Sequence, residues 1–86
     1  MQQTELTYEE HLAALNRRKF KCSAQTFETI CKDLDSLNAK LSEDNKIRLG
    51  QYFLNAFPEL SPYPELFYEK DYEKAKNMII EEFVIQ

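Results

Sequence analysis

Between Ser23 and Leu41 the apolar residues return every three or four positions. At about 100° per residue, Phe27, Ile30, Cys31, Leu34, Leu37 and Leu41 fall within an arc of roughly 120°, the width of a core-facing stripe. Gln25, Glu28, Lys32, Asp33, Ser36 and Lys40 take the other side. The pattern predicts an amphipathic helix over 24–39, opened by an N-cap oxygen on Ser23 and supported by the Glu28–Lys32 pair one turn apart. Upstream, Thr7 and Glu10 have the spacing of a capping box. They predict a helix over 8–18 that buries a narrow stripe of Tyr8, Leu12 and Leu15, with Ala14 beside it. A third helix is predicted over 43–57, capped by Ser42, with Glu43 and Asp44 in a first turn that favours anions. Its apolar face is wide: Leu49, Phe53 and Phe57 form one edge and Ile47 and Leu54 the other, leaving Arg48, Gln51 and Asn55 as the wet side. Such a face implies more than one neighbour. Gly50 lies near its middle, where glycine costs about 1 kcal/mol relative to alanine, so the position predicts a close helix crossing.

The pattern breaks once, at Pro58–Pro64. Residues before proline are pushed out of the helical region, so Pro62 and Pro64 impose an extended or turning path. A short helix is predicted near 64–69, and Asp71 caps a last helix over 71–84 with Tyr72, Ala75, Met78, Ile79 and Phe83 on one stripe and Tyr68 a turn earlier. The alternative is one continuous helix from Pro64 to Val84. Residues 1–6 are predicted as a frayed lead-in, with a terminal strand at Ile85–Gln86 as a minor variant. The fold class is therefore all-α: a bundle of four helices (8–18, 24–39, 43–57, 71–84) with the short helix near 64–69 as a fifth.

Composition narrows this further. With 86 residues the chain has room for one core, and a 43% hydrophobic content against 30% charged residues predicts a folded single domain over 1–86. A single glycine and three prolines do not supply the turns of a sandwich or barrel. The net charge of −4 disfavours a partner held mainly through phosphates. No apolar run approaches the ~18 residues of a membrane span, and MQQTELTYEEHL lacks the basic and apolar regions of a signal peptide. Cys22 and Cys31, without a CxxC or a partner histidine, read as a boundary thiol and a core thiol in a reducing cytoplasm.

Candidate chemistry is sparse. His11, the one histidine, has no orienting partner or activated nucleophile placed by a motif. One glycine cannot build a phosphate or calcium loop, and no zinc spacing is present. The expectation is a non-enzymatic protein without metal or cofactor. The most distinctive stretch is Ser61–Lys74, where Tyr63, Phe67, Tyr68 and Tyr72 alternate with Glu65, Glu69, Asp71 and Glu73. Tyrosine gives large, rigid contact area at low entropy cost, and acidic neighbours steer a basic partner. Tyr68 and Tyr72 share the core stripe, so Tyr63 and Phe67 are the rings expected to be exposed.

The sequence thus predicts a partner-binding protein, an inhibitor or regulator whose partner presents a basic surface. In architecture it resembles the small acidic four-helix immunity proteins that inhibit nuclease bacteriocins, which also place a short tyrosine-bearing helix between longer ones. Glu65-Leu66-Phe67-Tyr68 echoes their Asp-x-x-Tyr-Tyr-Pro signature without reproducing it. The resemblance implies an immunity-type factor; regulatory factors of phage and mobile elements share this size. One alternative is a DNA-binding regulator, with 24–57 as a helix-turn-helix-like pair and Arg17, Arg18, Lys19, Lys21, Lys46 and Arg48 on phosphates. The bland role of the Arg17–Lys21 cluster is to complement the first helix's dipole. A second alternative is a structural subunit that forms a homodimer through the wide face of the third helix.

Overall fold

The computed structural model describes residues 7–85, so the expected lead-in over 1–6 and any strand pairing by Gln86 lie outside the described residues. The described chain is all-α. Five helices follow in order: α1 Tyr8–Lys19, α2 Ala24–Asn38, α3 Leu49–Ala56, α4 Pro64–Phe67 and α5 Tyr72–Phe83. Short 3-10 turns lie at Glu43–Asn45 and Pro58–Leu60.

Four of the five helix starts have a local chemical cause. The Thr7 hydroxyl accepts from the Glu10 amide at 3.1 Å while the Glu10 carboxylate accepts from the Thr7 amide at 2.9 Å, which completes the predicted capping box. Ser23 and Asp71 cap α2 and α5, accepting from the Thr26 and Lys74 amides. Pro58 stops α3 and Pro64 opens α4 at a first-turn position where the missing N–H costs nothing. Tyr68–Asp71 interrupt the chain before α5, so the continuous helix from Pro64 to Val84 does not form.

Three expectations need correction. The third helix does not run over 43–57: after the turn at Glu43–Asn45 the chain is extended at Lys46 and Arg48, and α3 starts at Leu49. The cause is Asn38. Its side-chain amide donates to the Ile47 carbonyl at 3.0 Å and its side-chain oxygen accepts from the Ile47 amide at 2.9 Å, taking both groups a helix would have used. The second correction concerns α1, which extends to Lys19 and leaves Tyr8, Leu12 and Leu15 exposed; Ala13 is its one buried residue. Third, the cysteines exchange roles: Cys22 is buried and Cys31 half-buried, and neither forms a disulfide.

Phe53 is the centre of the core. Its ring has no exposed surface and stacks on Phe83 at 5.6 Å, with Phe27, Phe20 and Phe57 at 6.1, 6.3 and 5.1 Å. These separations suit tilted and edge-to-face aromatic packing. Around this group close Leu34, Leu49, Leu54, Leu60, Leu66, Ala75 and Ile79, all buried. The predicted crossing at Gly50 is present. A Cβ there would overlap the Leu66 carbonyl oxygen and come within 2.7 Å of its carbonyl carbon, so α4 rests directly on the backbone of α3.

The two ends of the core are tied together. Cys22 and Val84 form a parallel bridge, in which the Cys22 amide donates to the Phe83 carbonyl at 2.8 Å and the Ile85 amide donates to the Cys22 carbonyl at 2.9 Å. Lys21 adds a hydrogen bond from its ammonium to the Glu82 carbonyl at 3.0 Å, satisfying a carbonyl near the end of α5.

Candidate partner-binding surface

The aromatic and acidic stretch divides into two groups. Tyr63, Phe67 and Tyr68 gather around a groove of about 340 Å³ whose other walls are Ser61, Pro62 and Pro64. Tyr72 stands apart and lines a different groove with Phe27, Cys31 and Lys76 between α2 and α5. The expected order of exposure is reversed. Tyr68 is 66% exposed and Tyr72 is also exposed, whereas Tyr63 and Phe67 are half-buried.

Tyr63 is held from three sides. Its hydroxyl donates to the Glu82 carboxylate at 2.6 Å, its ring meets the edge of Phe83 at 6.4 Å, and the Arg17 guanidinium lies 4.4 Å over its face. Burial, and then the hydrogen bond to Glu82, push the Tyr63 hydroxyl up to about 12. Arg17 also donates to the carbonyls of Leu60 at 3.2 Å and Pro62 at 2.8 Å. It is thus the strut that joins α1 to the prolyl turn.

Tyr68 rests on a fixed platform. Its ring meets Phe67 edge-on at 4.9 Å, and the Arg48 guanidinium sits 5.7 Å from the Phe67 ring and 5.6 Å from that of Tyr68. Arg48 is oriented by donating from Nε to the Phe67 carbonyl at 3.0 Å, which also satisfies the end of α4. One edge of Tyr68 is therefore anchored and the other faces solvent beside the groove.

The carboxylates differ in their freedom. Glu65 and Glu73 are exposed, and Asp71 is the α5 cap. Glu69 is half-buried, accepting from the Asp71 amide at 3.0 Å and lying 3.8 Å from the Lys74 ammonium. At Tyr72, burial and then the hydrogen bond with the Cys31 thiol push the hydroxyl up from its ordinary value.

Most of the six basic residues have partners within the chain. Arg17, Lys21 and Arg48 are committed to backbone carbonyls, and Lys46 lies 3.4 Å from Glu43. Arg18 and Lys19 remain on the exposed surface of α1. Residues 39–48 separate α2 from α3, far more than the three or four residues of a helix-turn-helix. The wide face of the third helix, offered above as a dimer contact, is consumed internally: Leu49, Gly50, Phe53 and Leu54 are all buried within the chain.

Sequence reasoning missed Arg17 and Arg48 as the groups that hold the rings, and Pro62 and Pro64 as groove walls. The Pro-Tyr-Pro run was the available signal, since two prolines flanking a ring fix its backbone. Among the described residues no cluster of His, Cys, Asp and Glu is placed to hold a metal ion, and no helix is long and apolar enough to cross a membrane. Comparison with protein-family models, with curated proteins and with solved structures finds no significant match to this chain.

Proposed function

We propose that this protein is a non-enzymatic cytoplasmic factor that binds, and thereby inhibits or regulates, a partner protein through the Ser61–Tyr68 groove. The observation that carries this reading is Tyr68, which is 66% exposed yet fixed against Phe67 and Arg48 beside an apolar groove. An exposed ring that already packs on two neighbours has less freedom to lose on binding, which suits an interface anchor. The occupant is a partner segment with one apolar or aromatic side chain for the groove, flanked by Lys or Arg. Glu65 stands exposed beside Pro62 and Pro64 on one side, with Asp71 and Glu73 beyond, and the chain is acidic overall.

Affinity capture from the native cell tests the reading, run with the wild type, with Tyr68→Ala and with Glu65→Lys, each before and after nuclease treatment. A protein retained by the wild type after nuclease treatment, and lost with both variants at unchanged melting temperature, supports it. Capture that nuclease abolishes, or that ignores both substitutions, overturns it. The half-buried Tyr63 and Phe67 are unsuitable probes, because removing either disturbs the fold.

A further inference from the structure

Helix α1 carries its apolar residues on the wrong side for the core it belongs to. Ala13 faces the chain, Asn16 donates to the Glu59 carbonyl at 3.0 Å, and Arg17 donates to Leu60 and Pro62. Tyr8 is 79% exposed, and Leu12 and Leu15, on the same stripe of the helix, are 42% and 38% exposed. Tyr8, Leu12, Leu15 and Lys19 follow a 4-3-4 spacing, which is the seam of a two-helix coiled coil. The helix is complete at its first turn, because the capping box is closed.

We infer that this seam is a contact between two copies of the chain, with the α1 helices packed antiparallel about a two-fold axis. Charge decides the orientation. The first turn of α1 is acidic through Glu9 and Glu10, and its last turn is basic through Arg18 and Lys19. Antiparallel pairing lays Lys19 of each copy over Tyr8 and beside Glu9 of the other, so the ammonium meets both an aromatic face and a carboxylate. Parallel pairing sets Glu9 against Glu9 and Lys19 against Lys19. Leu12 then packs on Leu15 across the axis, and the arrangement closes at two copies because the surface is its own complement. A 12-residue helix is about 18 Å long, and a single seam of that length buries less than the ~1,200 Å² of a stable complex. The dimer is therefore concentration-dependent. None of this rests on the partner-binding groove.

Sedimentation equilibrium of the full chain, from about 10 µM to about 1 mM, tests the inference, a range set by the affinity of small interfaces. The expected result is an average mass that rises towards twice the monomer mass with concentration. Leu12→Asp and, separately, Leu15→Glu hold the protein monomeric while keeping the melting temperature of the dilute wild type. Lys19→Glu weakens association at least threefold, and adding Glu9→Lys restores it, a rescue that a merely sticky surface does not give. A protein that stays monomeric throughout, a dimer insensitive to all these changes, or a charge swap without rescue each overturn the inference.

Discussion

Helix α3 buries Leu49, Gly50, Phe53 and Leu54 within eight residues, whereas α1 buries only Ala13 of its twelve, although both carry apolar residues at helical spacing. The difference lies in what each helix meets. α3 lies among α2, α4, α5 and the Pro58–Leu60 turn, and each neighbour takes part of its circumference. α1 meets chiefly that turn, whose carbonyls at Glu59 and Leu60, with that of Pro62, accept from Asn16 and Arg17. Of these, the Leu60 contact is part-buried, where an unpaired carbonyl is costly, while those to Glu59 and Pro62 are exposed. Polar anchoring therefore sets the rotation of α1 and turns its leucines outward. A stripe predicts a helix; its direction depends on the neighbours' unmet hydrogen bonds.

Truncating the centre of each helix tests this difference with the largest expected effect. Phe53→Ala removes a fully buried ring from an aromatic cluster and is expected to cost about 3–5 kcal/mol, read by urea or thermal unfolding. Leu12→Ala and Leu15→Ala on α1 are expected to change stability by no more than about 0.5 kcal/mol, measured under dilute conditions. Equal losses at the two places would mean that α1 is docked through its leucines.

Gly50→Ala probes the same contrast from the backbone side. Helix propensity alone favours alanine by about 1 kcal/mol. Here the added methyl meets the Leu66 carbonyl, a backbone group that cannot rotate away, and overpacking of this kind costs about 1–3 kcal/mol. The expected outcome is a net loss of about 2 kcal/mol in denaturant unfolding, the upper end of that cost less the gain in propensity. Stabilisation would separate α4 from α3.

Much of this architecture was legible in the sequence, and the parts that were not share a cause. The Thr7–Glu10 box, the Ser23 and Asp71 caps, the crossing at Gly50 and the stop at Pro58 all depend on residues within a turn of one another or on the special geometry of Gly and Pro. Long-range side-chain donors were not legible. Asn38 gripping Ile47, Arg17 reaching across the chain to Pro62 and Arg48 to Phe67 join residues that no local pattern relates. Those donors shortened α3, turned α1 and fixed Tyr63 and Phe67 in place. The candidate surface was legible as a composition of rings and carboxylates between Ser61 and Lys74. Which ring is exposed depended on Arg17, Arg48 and Glu82, residues outside that stretch.

Arg17 is the joint between the two regions, so its removal is the next test in size. Arg17→Ala strips donors from two carbonyls and a cation from the Tyr63 face, for an expected loss of about 2 kcal/mol, since hydrogen bonds from charged groups contribute about 1.5–3 kcal/mol. Amide exchange should accelerate along α1 while α3 and α5 keep their protection, the signature of local rather than global opening. Uniform acceleration would make α1 part of the central cooperative unit.

Tyr63→Phe is expected to cost less than Arg17→Ala and separates the joint's ring from its hydroxyl. The ring contacts with Arg17 and Phe83 survive, and only the 2.6 Å hydrogen bond to Glu82 is lost, so the expected cost at neutral pH is about 1 kcal/mol. The hydroxyl's pKa rises from 10.0 in the unfolded chain to about 12 in the fold, so the folded state holds this proton more tightly. The stabilisation is complete below pH 10 and is lost as pH rises through 12. Parallel alkaline unfolding of the wild type and Tyr63→Phe should therefore show the wild type's advantage shrink and then reverse as the pH rises through that window. A constant gap up to pH 12 would mean that the hydroxyl ionises in the fold as it does in the unfolded chain, and that the Glu82 contact does not bind the prolyl turn to α5.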